Sequence, residues 1–137
     1  MKRRRSREYA LQILFQLELT GNKLSDQVFD EFWEDNKEED DVKKFTHDIV
    51  SSTLENLDTI DLAIQKAAEH WVIERMAAID RNILRAATYE ILYRADIPAS
   101  VAINEALEVA KKYSTIDSAP FINGILDKIA AEPLPPH

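Results

Sequence analysis

Residues that break helices are scarce in this chain of 137 residues. Glycine occurs only at Gly21 and Gly124, and four of the five prolines follow position 119. Between these residues the apolar side chains recur at intervals of three and four, which is the period of an amphipathic helix. We find no alternating segment and no hairpin dipeptide of the kind that indicates a strand. The sequence therefore predicts an all-α protein.

About seven helices follow from this periodicity. The ranges are about 6–19, 26–33, 41–69, a short turn at 71–73, 78–95, a helix from 98 or 99, and a helix from 117 or 118. The third would be roughly 40 Å long, at about 1.5 Å per residue. We expect one domain over 1–137 in which two small bundles, about 6–69 and about 70–131, share this long central helix. A solvated tail would follow over 132–137.

Basic residues are concentrated at one end of an acidic chain. The net charge is −8, from 17 basic and 25 acidic residues, yet five bases lie in the first seven residues and no acid precedes Glu8. The rest of the chain holds 12 bases against 25 acids. Such a body repels nucleic acid at long range. A polyanion would therefore have to bind at the local basic patch, because salt screens the more distant charges.

The run MKRRRSR is the strongest functional signal in the sequence. Its cations are Lys2, Arg3, Arg4, Arg5 and Arg7. Arginine binds phosphate through bidentate hydrogen bonds, and several such contacts would give a salt-dependent affinity for a nucleic acid. We interpret these five residues as a nucleic-acid-binding arm that leads into the first helix. The alternative is a solvated arm without a ligand.

A second candidate site lies in YSTIDSAPFINGILDKI, residues 113–129. Asp117 and Ser118 are residue types that begin helices, and a helix N-terminus presents backbone N–H groups that can bind phosphate. Phe121 in the first turn could stack on a base. Ser118 and Phe121 could therefore contact a nucleic acid, and the alternative is ordinary capping with a core phenylalanine. A carboxylate repels phosphates, so Asp117 is assigned to capping, to a base amine or to a protein partner.

Catalytic, metal and cofactor chemistry find little support in the sequence. The chain has no cysteine, and its histidines, His47, His70 and His137, are far apart, which leaves no thiol nucleophile and no metal-ligand spacing. No glycine-rich phosphate loop or serine-nucleophile motif is present. No apolar run approaches the roughly 20 residues of a membrane span, and the basic N-terminus lacks the apolar core of a signal peptide. We expect a cytoplasmic protein without catalytic residues, metal or cofactor.

Four stretches together resemble a known family. They are RRRSREYALQILFQLEL, IDRNILRAATYEIL, IPASVAINEALEVAKKY and DSAPFINGILDKI. Their order and spacing resemble the NusB family of bacterial transcription antitermination factors, nearly from end to end. The acidic segment around the second helix is covered least well. The resemblance implies an all-helical fold of two small bundles.

The resemblance also implies a function. NusB-like proteins bind the boxA element of ribosomal RNA leader transcripts as a heterodimer with NusE, a small-subunit ribosomal protein. That complex joins RNA polymerase and the other Nus factors, suppresses premature termination and supports ribosomal RNA synthesis. The family includes both monomers and homodimers, and a homodimer could bury the RNA surface.

Site residues are carried over from the family position by position. The arginine run matches the RNA-binding arm. DSAPFING matches the family's D-S-x-x-F-x-N-G segment, so the resemblance implies that Ser118 and Phe121 contact RNA. Phe15 stands where a tyrosine is frequent, and Asp80 stands where an acid is expected near the partner and RNA surface. The residues assigned to the NusE contact are Phe15, Asp80, Arg81 and Asp117. The resemblance leaves open which of Phe15 and Asp80 touches RNA and which touches NusE.

Two other functions stay open. The first is a helical scaffold that binds only proteins, with an idle arginine arm. The second is an RNA-binding domain related to that of ribosomal RNA cytosine methyltransferases, for which no catalysis is expected because a catalytic cysteine and a Rossmann-like region are lacking. A preference for boxA RNA that NusE strengthens would favour antitermination over the scaffold.

Overall fold

The computed structural model describes residues 2–132, which fold into helices. They are α1 (Lys2–Thr20), α2 (Asp26–Asp35), α3 (Asp40–Glu55), α4 (Leu57–Ala68), α5 (Ala78–Tyr93), α6 (Ala99–Tyr113) and α7 (Ser118–Ala131), with a 3-10 turn at Ile73–Arg75. No strand occurs among the described residues, and the all-α prediction is confirmed. Of the expected tail over 132–137, residues 133–137 lie outside the described part of the chain.

Helix α5 lies at the centre of the fold. It packs against α1, α3, α4, α6 and α7. Its buried residues Ile83, Leu84 and Ala87 belong to one apolar core that runs from Ala10 to Ile129. The division into two bundles near residue 69 stays a prediction. The packing shows that α5 contacts helices of both predicted bundles.

The structure corrects one element of the prediction, the long central helix over 41–69. Helix α3 ends and α4 begins on either side of Asn56. The Asn56 side chain donates through Nδ2 to the carbonyl oxygen of Ser52 at 2.8 Å, and its own carbonyl accepts from the amide of Ile60 at 2.9 Å. Asparagine competes well for such local hydrogen bonds. The apolar period continues through the break, so periodicity alone did not reveal it.

Helix α1 begins four residues earlier than the predicted start near Ser6. It has no acid in its first turn, so Lys2 and the three arginines that follow oppose the helix dipole. Tertiary contacts offset this cost. Ser6 is fully buried and donates to the carbonyl oxygen of Val42 at 2.9 Å, which fastens these turns to α3. The basic run is therefore a packed helix end and not an arm.

Helix α2 is held mainly by aromatic side chains. Phe29 stacks on the His47 ring with 3.7 Å between centroids, and Tyr9 contacts Phe32 and Trp33 edge-on. Trp33 donates through Nε1 to Nε2 of His47 at 2.7 Å, and burial lowers the pKa of His47. These contacts fix the acidic segment that follows α2 beside the start of α1.

Candidate nucleic-acid interface

The basic end of α1, meaning Lys2, Arg3, Arg4, Arg5 and Arg7, contains residues of very different exposure. Arg7 is the most buried, with 8% of its side chain exposed against 3% for Glu90. Its Nε and Nη2 donate to the two carboxylate oxygens of Glu90 at 3.0 and 2.7 Å. An RNA contact by Arg7 would leave a buried carboxylate unpaired. The geometry therefore favours a structural role for Arg7, although the sequence assigned it to RNA.

Arg4 and Arg5 are half-exposed, and each makes a two-point ion pair with a glutamate from another segment. Arg4 donates through Nε and Nη2 to Glu105 of α6 at 3.0 and 2.7 Å. Arg5 donates in the same way to Glu38 at 2.8 and 3.2 Å, and the Tyr9 hydroxyl adds a third bond at 2.8 Å. The Arg5 guanidinium holds the pKa of Glu38 at about 2. A phosphate at either arginine would compete with a carboxylate.

Lys2 and Arg3 are the most accessible cations of the basic end. The Lys2 side chain is 54% exposed, with its Nζ 3.0 Å from Asp41. Arg3 is also exposed, and its guanidinium lies 4.5 Å from the centre of the Phe45 ring. Among the described residues, no acid lies within ion-pair distance of Arg3. These two side chains can reach a ligand without disturbing the core.

The α7 entry is a second region, made of Asp80, Ser114, Ser118, Phe121 and Trp71. Ser118 is buried and donates to Oδ2 of Asp80 at 2.9 Å, while Ser114 donates to Oδ1 at 2.5 Å. Asp80 is itself buried. The sequence assigned Ser118 to RNA and Asp80 to NusE, but both side chains face inward. They stabilise the start of α7, and their buried side chains are poorly placed to contact a ligand.

Asp117 precedes α7, but the expected side-chain cap is not formed. Its side chain is exposed beside the α7 entry. A carboxylate in that position is free to meet a base amine or a protein partner, which are the two other roles that the sequence analysis gave it. Contact with a partner stays a prediction for Asp117.

Phe121 is half-buried and contacts Trp71 edge-on, with 5.4 Å between ring centroids. Trp71 is 59% exposed. Exposed aromatic rings next to each other can stack on unpaired bases. Trp71 was not among the site residues predicted from the sequence. Its position between helices, outside any helical apolar stripe, was the available signal.

Arg81 forms an internal clamp instead of an exposed contact. Its Nε and Nη2 donate to the carboxylate of Glu18 at 2.9 and 2.6 Å, and its Nη1 donates to the carbonyl oxygen of Met76 at 2.7 Å. Arg85 also binds Glu18, through Nη1 at 2.9 Å. These bonds join α1, α5 and the turn before α5. The assignment of Arg81 to a partner contact therefore finds no support in the geometry.

A continuous edge connects the basic end of α1 with the α7 entry. Arg4, Glu8 and Phe15 lie on one face of α1, because offsets of 4 and 11 residues return to the same side of a helix. Glu8 accepts from Nζ of Lys112 at 2.6 Å, near the end of α6. Ser114, two residues later, already belongs to the α7 entry. Phe15 is half-buried on this edge.

The described residues support binding chemistry more than any other kind. They contain no group of three or more His, Asp or Glu residues that could hold a metal ion. Within the same residues, no helix is both long and apolar enough to cross a membrane. The interface offers ionic contacts, hydrogen bonds and aromatic faces, which are the contacts that RNA binding uses.

This chain is similar to known proteins over nearly its whole length. A model of the NusB family matches residues 4–131. The transcription antitermination protein NusB of Thermodesulfovibrio yellowstonii is 54% identical, over 96% of this chain and 93% of its own length. NusB of T. maritima has a similar structure, with a TM-score of 0.87, 41% identity, and coverage of 97% of this chain and 93% of its own. A chain from a crystal structure of antitermination factors NusB and NusE in complex with double-stranded RNA has a TM-score of 0.84 at 25% identity, covering 94% of this chain and 96% of its own.

Proposed function

The chain belongs to the NusB family, and on that premise we propose that it is an RNA-binding transcription antitermination factor. Its ligand would be single-stranded boxA RNA, bound together with NusE. The complex would act with RNA polymerase and the other Nus factors to support ribosomal RNA transcription. A similar protein described in complex with NusE and RNA supports both partners. That complex holds double-stranded RNA, so the strand preference needs its own measurement.

The observation that carries the proposal is the basic end of α1 on an acidic chain. The chain outside the first seven residues holds 12 bases against 25 acids. Lys2 and Arg3 are exposed, and Arg4 and Arg5 are half-exposed beside them. A polyanion is attracted to this one end and repelled elsewhere. The acidic remainder also suits a basic ribosomal protein as partner.

The candidate residues divide into contacts and supports. Contacts to RNA come from Lys2, Arg3, Arg4, Arg5 and Phe121, with Trp71 beside Phe121. Contacts to NusE come from Phe15 and Asp117. Supports that hold these surfaces in place are Arg7, Ser118, Asp80 and Arg81. This division follows the exposure of each side chain.

Internal carboxylates would limit non-specific binding. A phosphate reaches Arg4 or Arg5 only by displacing or sharing the donors now held by Glu105 and Glu38. A polyanion that makes few further contacts gains little binding free energy from replacing a carboxylate with a phosphate. An RNA that also contacts the α7 entry gains additional binding free energy. Competition between its phosphates and the carboxylates therefore raises specificity for such an RNA.

We also propose that the protein has no catalytic activity, since its relatives are named as antitermination proteins. A factor of this kind acts on a nascent transcript, so the proposed function places it in the cytoplasm. No cofactor or metal is needed for such binding.

The test is a fluorescence-anisotropy titration with boxA-type single-stranded RNA, a scrambled RNA and a double-stranded form. It is run with and without NusE at several salt concentrations. We expect tighter binding of single-stranded boxA RNA, strengthened by NusE, with a logarithmic salt slope of about −0.7 per phosphate contacted. No preference in any condition would contradict antitermination and leave a protein-binding scaffold.

A charge-matched pair of variants locates the binding surface. Deleting residues 2–7 would remove Arg7 from its buried ion pair and unfold the helix end, so substitutions are preferable. The double variant R4Q/R5Q should bind RNA at least about tenfold more weakly, as expected for two lost phosphate contacts. The control K66Q/K128Q removes the same charge from exposed positions on α4 and α7 and should change affinity by less than about twofold. Equal losses in the two double variants would contradict binding at the basic end.

A further inference from the structure

A surface cavity of about 530 Å³, lined in part by charged residues, lies between the first turns of α1 and the start of α3. Arg3, Ser6, Lys44 and Phe45 are among the residues that line it. Its volume falls within the about 300–1,000 Å³ that is typical of ligand pockets. The site includes α3, which the sequence analysis did not connect with RNA.

Two cations at this cavity are available to a ligand. The Arg3 guanidinium carbon lies 4.5 Å from the centre of the Phe45 ring, and this cation–π contact does not use the N–H donors of Arg3 for a hydrogen bond to an acid. Lys44 is exposed on α3. Within residues 2–132, no acid lies within ion-pair distance of either cation. They differ in this respect from Arg4 and Arg5, whose donors are occupied by glutamates.

The two carboxylates that line the cavity are already engaged. Asp41 accepts from Nζ of Lys2 at 3.0 Å, and this bond lowers the pKa of Asp41. Asp48 accepts from the Tyr89 hydroxyl at 2.6 Å and from Nη1 of Arg94 at 2.7 Å. Both acids are compensated by neighbours that also line or border the cavity.

Two further acids lie at the margin of the cavity. Glu39 is 3.5 Å from Lys2, and Asp96 is 2.8 Å from Arg94. Lys2 and Arg94 thus each meet two acids, and these two groups contribute no net positive charge that could attract a ligand. Arg3 and Lys44 are the groups that give the cavity its attraction for an anion.

We propose that this cavity binds a backbone phosphate of the RNA between the guanidinium of Arg3 and the ammonium group of Lys44. The proposal rests on the proposed function and extends the interface from α1 to α3. Phe45 acts as a positioning residue, because its ring lies against the Arg3 guanidinium. Lys44 becomes a binding residue, and a phosphodiester is its ligand.

The test compares K44Q with K43Q, which removes the same charge one residue away. Lys43 lies over the Trp33 ring, 5.7 Å from its centroid, on the side of α3 that faces α2. Affinity for the single-stranded RNA is measured by anisotropy at several salt concentrations. K44Q and R3Q should each weaken binding at least about fivefold and reduce the magnitude of the salt slope by about 0.7. K43Q should stay within about twofold of wild type, since screening weakens the effect of a charge that touches no phosphate.

A third variant and a folding control sharpen the result. K44R keeps the charge and should retain most of the affinity, and all variants should keep the wild-type helix content by circular dichroism. Equal effects of K43Q and K44Q on affinity and slope would overturn the cavity site while leaving the proposed function intact. Absence of RNA binding by the wild-type protein, with and without NusE, would overturn both.

Discussion

At the basic end of α1 nearly every cation meets an opposite charge, whereas at the α7 entry the buried carboxylate of Asp80 meets two hydroxyl groups. Lys2, Arg4, Arg5 and Arg7 all bind acids from other segments. Asp80 accepts from serines at the end of α6 and the start of α7. The first region keeps exposed charge that a ligand can take over. The second uses buried polar groups to fix the position of Phe121 and Trp71.

The same contrast exists inside the basic end. Arg7 and Arg3 are four residues apart and contact the same Phe45 ring, at 5.5 and 4.5 Å. Arg7 is buried with Glu90, while Arg3 is exposed without an acid. Burial therefore separates a structural arginine from an arginine that is accessible to a ligand within one turn of helix. The predictions below test both contrasts.

The largest effect is expected for R7A. Removing the guanidinium leaves the carboxylate of Glu90 buried without its partner, which costs about 3–5 kcal/mol of unfolding free energy. Urea unfolding followed by circular dichroism measures this loss. R3A is the control and should cost less than about 1 kcal/mol, because it removes only an exposed cation–π contact. Similar losses in the two variants would contradict the division between Arg7 and Arg3.

An intermediate effect is expected for S118A at the α7 entry. The substitution removes one of the two hydroxyl donors to buried Asp80, which costs about 1–3 kcal/mol of unfolding free energy. The neighbouring D117A is the control, and an exposed residue without a capping bond should change stability by no more than about 0.5 kcal/mol. The urea midpoints of the two variants show which substitution destabilises the protein more. A larger loss for D117A would show that Asp117, and not Ser118, holds the start of α7.

The smallest effect is the acid dependence of the pair between Arg5 and Glu38. Arg5 depresses the pKa of Glu38 from 4.5 to about 2. A carboxylate whose pKa is lowered by folding contributes stability above its unfolded pKa and loses that contribution as the pH falls through the folded value. The thermal midpoint of wild type should therefore fall between about pH 4.5 and 2. E38Q cannot titrate at this position, so it should show a shallower fall over the same range; an unchanged profile would mean that other carboxylates dominate.

Most of the helices could be predicted from the sequence, because the spacing of apolar residues within a segment indicates whether that segment is helical. The stripe that begins at Ala10 predicted α1, and the pattern around Ile83 predicted α5 within a few residues of its bounds. The break at Asn56 was missed because its capping bonds do not interrupt the apolar period. The early start of α1 was missed because its support comes from acids far along the chain, such as Glu105.

The site residues stay predictions, and the structure shows only where their side chains lie. The sequence indicated a basic end and the DSAPFING segment, and both lie on one edge of the protein. It did not separate Arg3 from Arg7, nor reveal that Ser118 faces Asp80. Lys44 and Trp71, which we propose as contacts on the basis of their exposure, were not predicted because single exposed residues carry no pattern. Exposure depends on which distant segments cover a side chain.

The sequence by itself determined the helical class, the concentration of positive charge and the family resemblance. These properties follow from composition, spacing and order along the chain. The tertiary structure alone decided which charges are buried, which are paired and which are free. Ion pairs such as that of Arg7 with Glu90 join residues 83 positions apart. Such pairs depend on how the helices pack, and no local pattern encodes them.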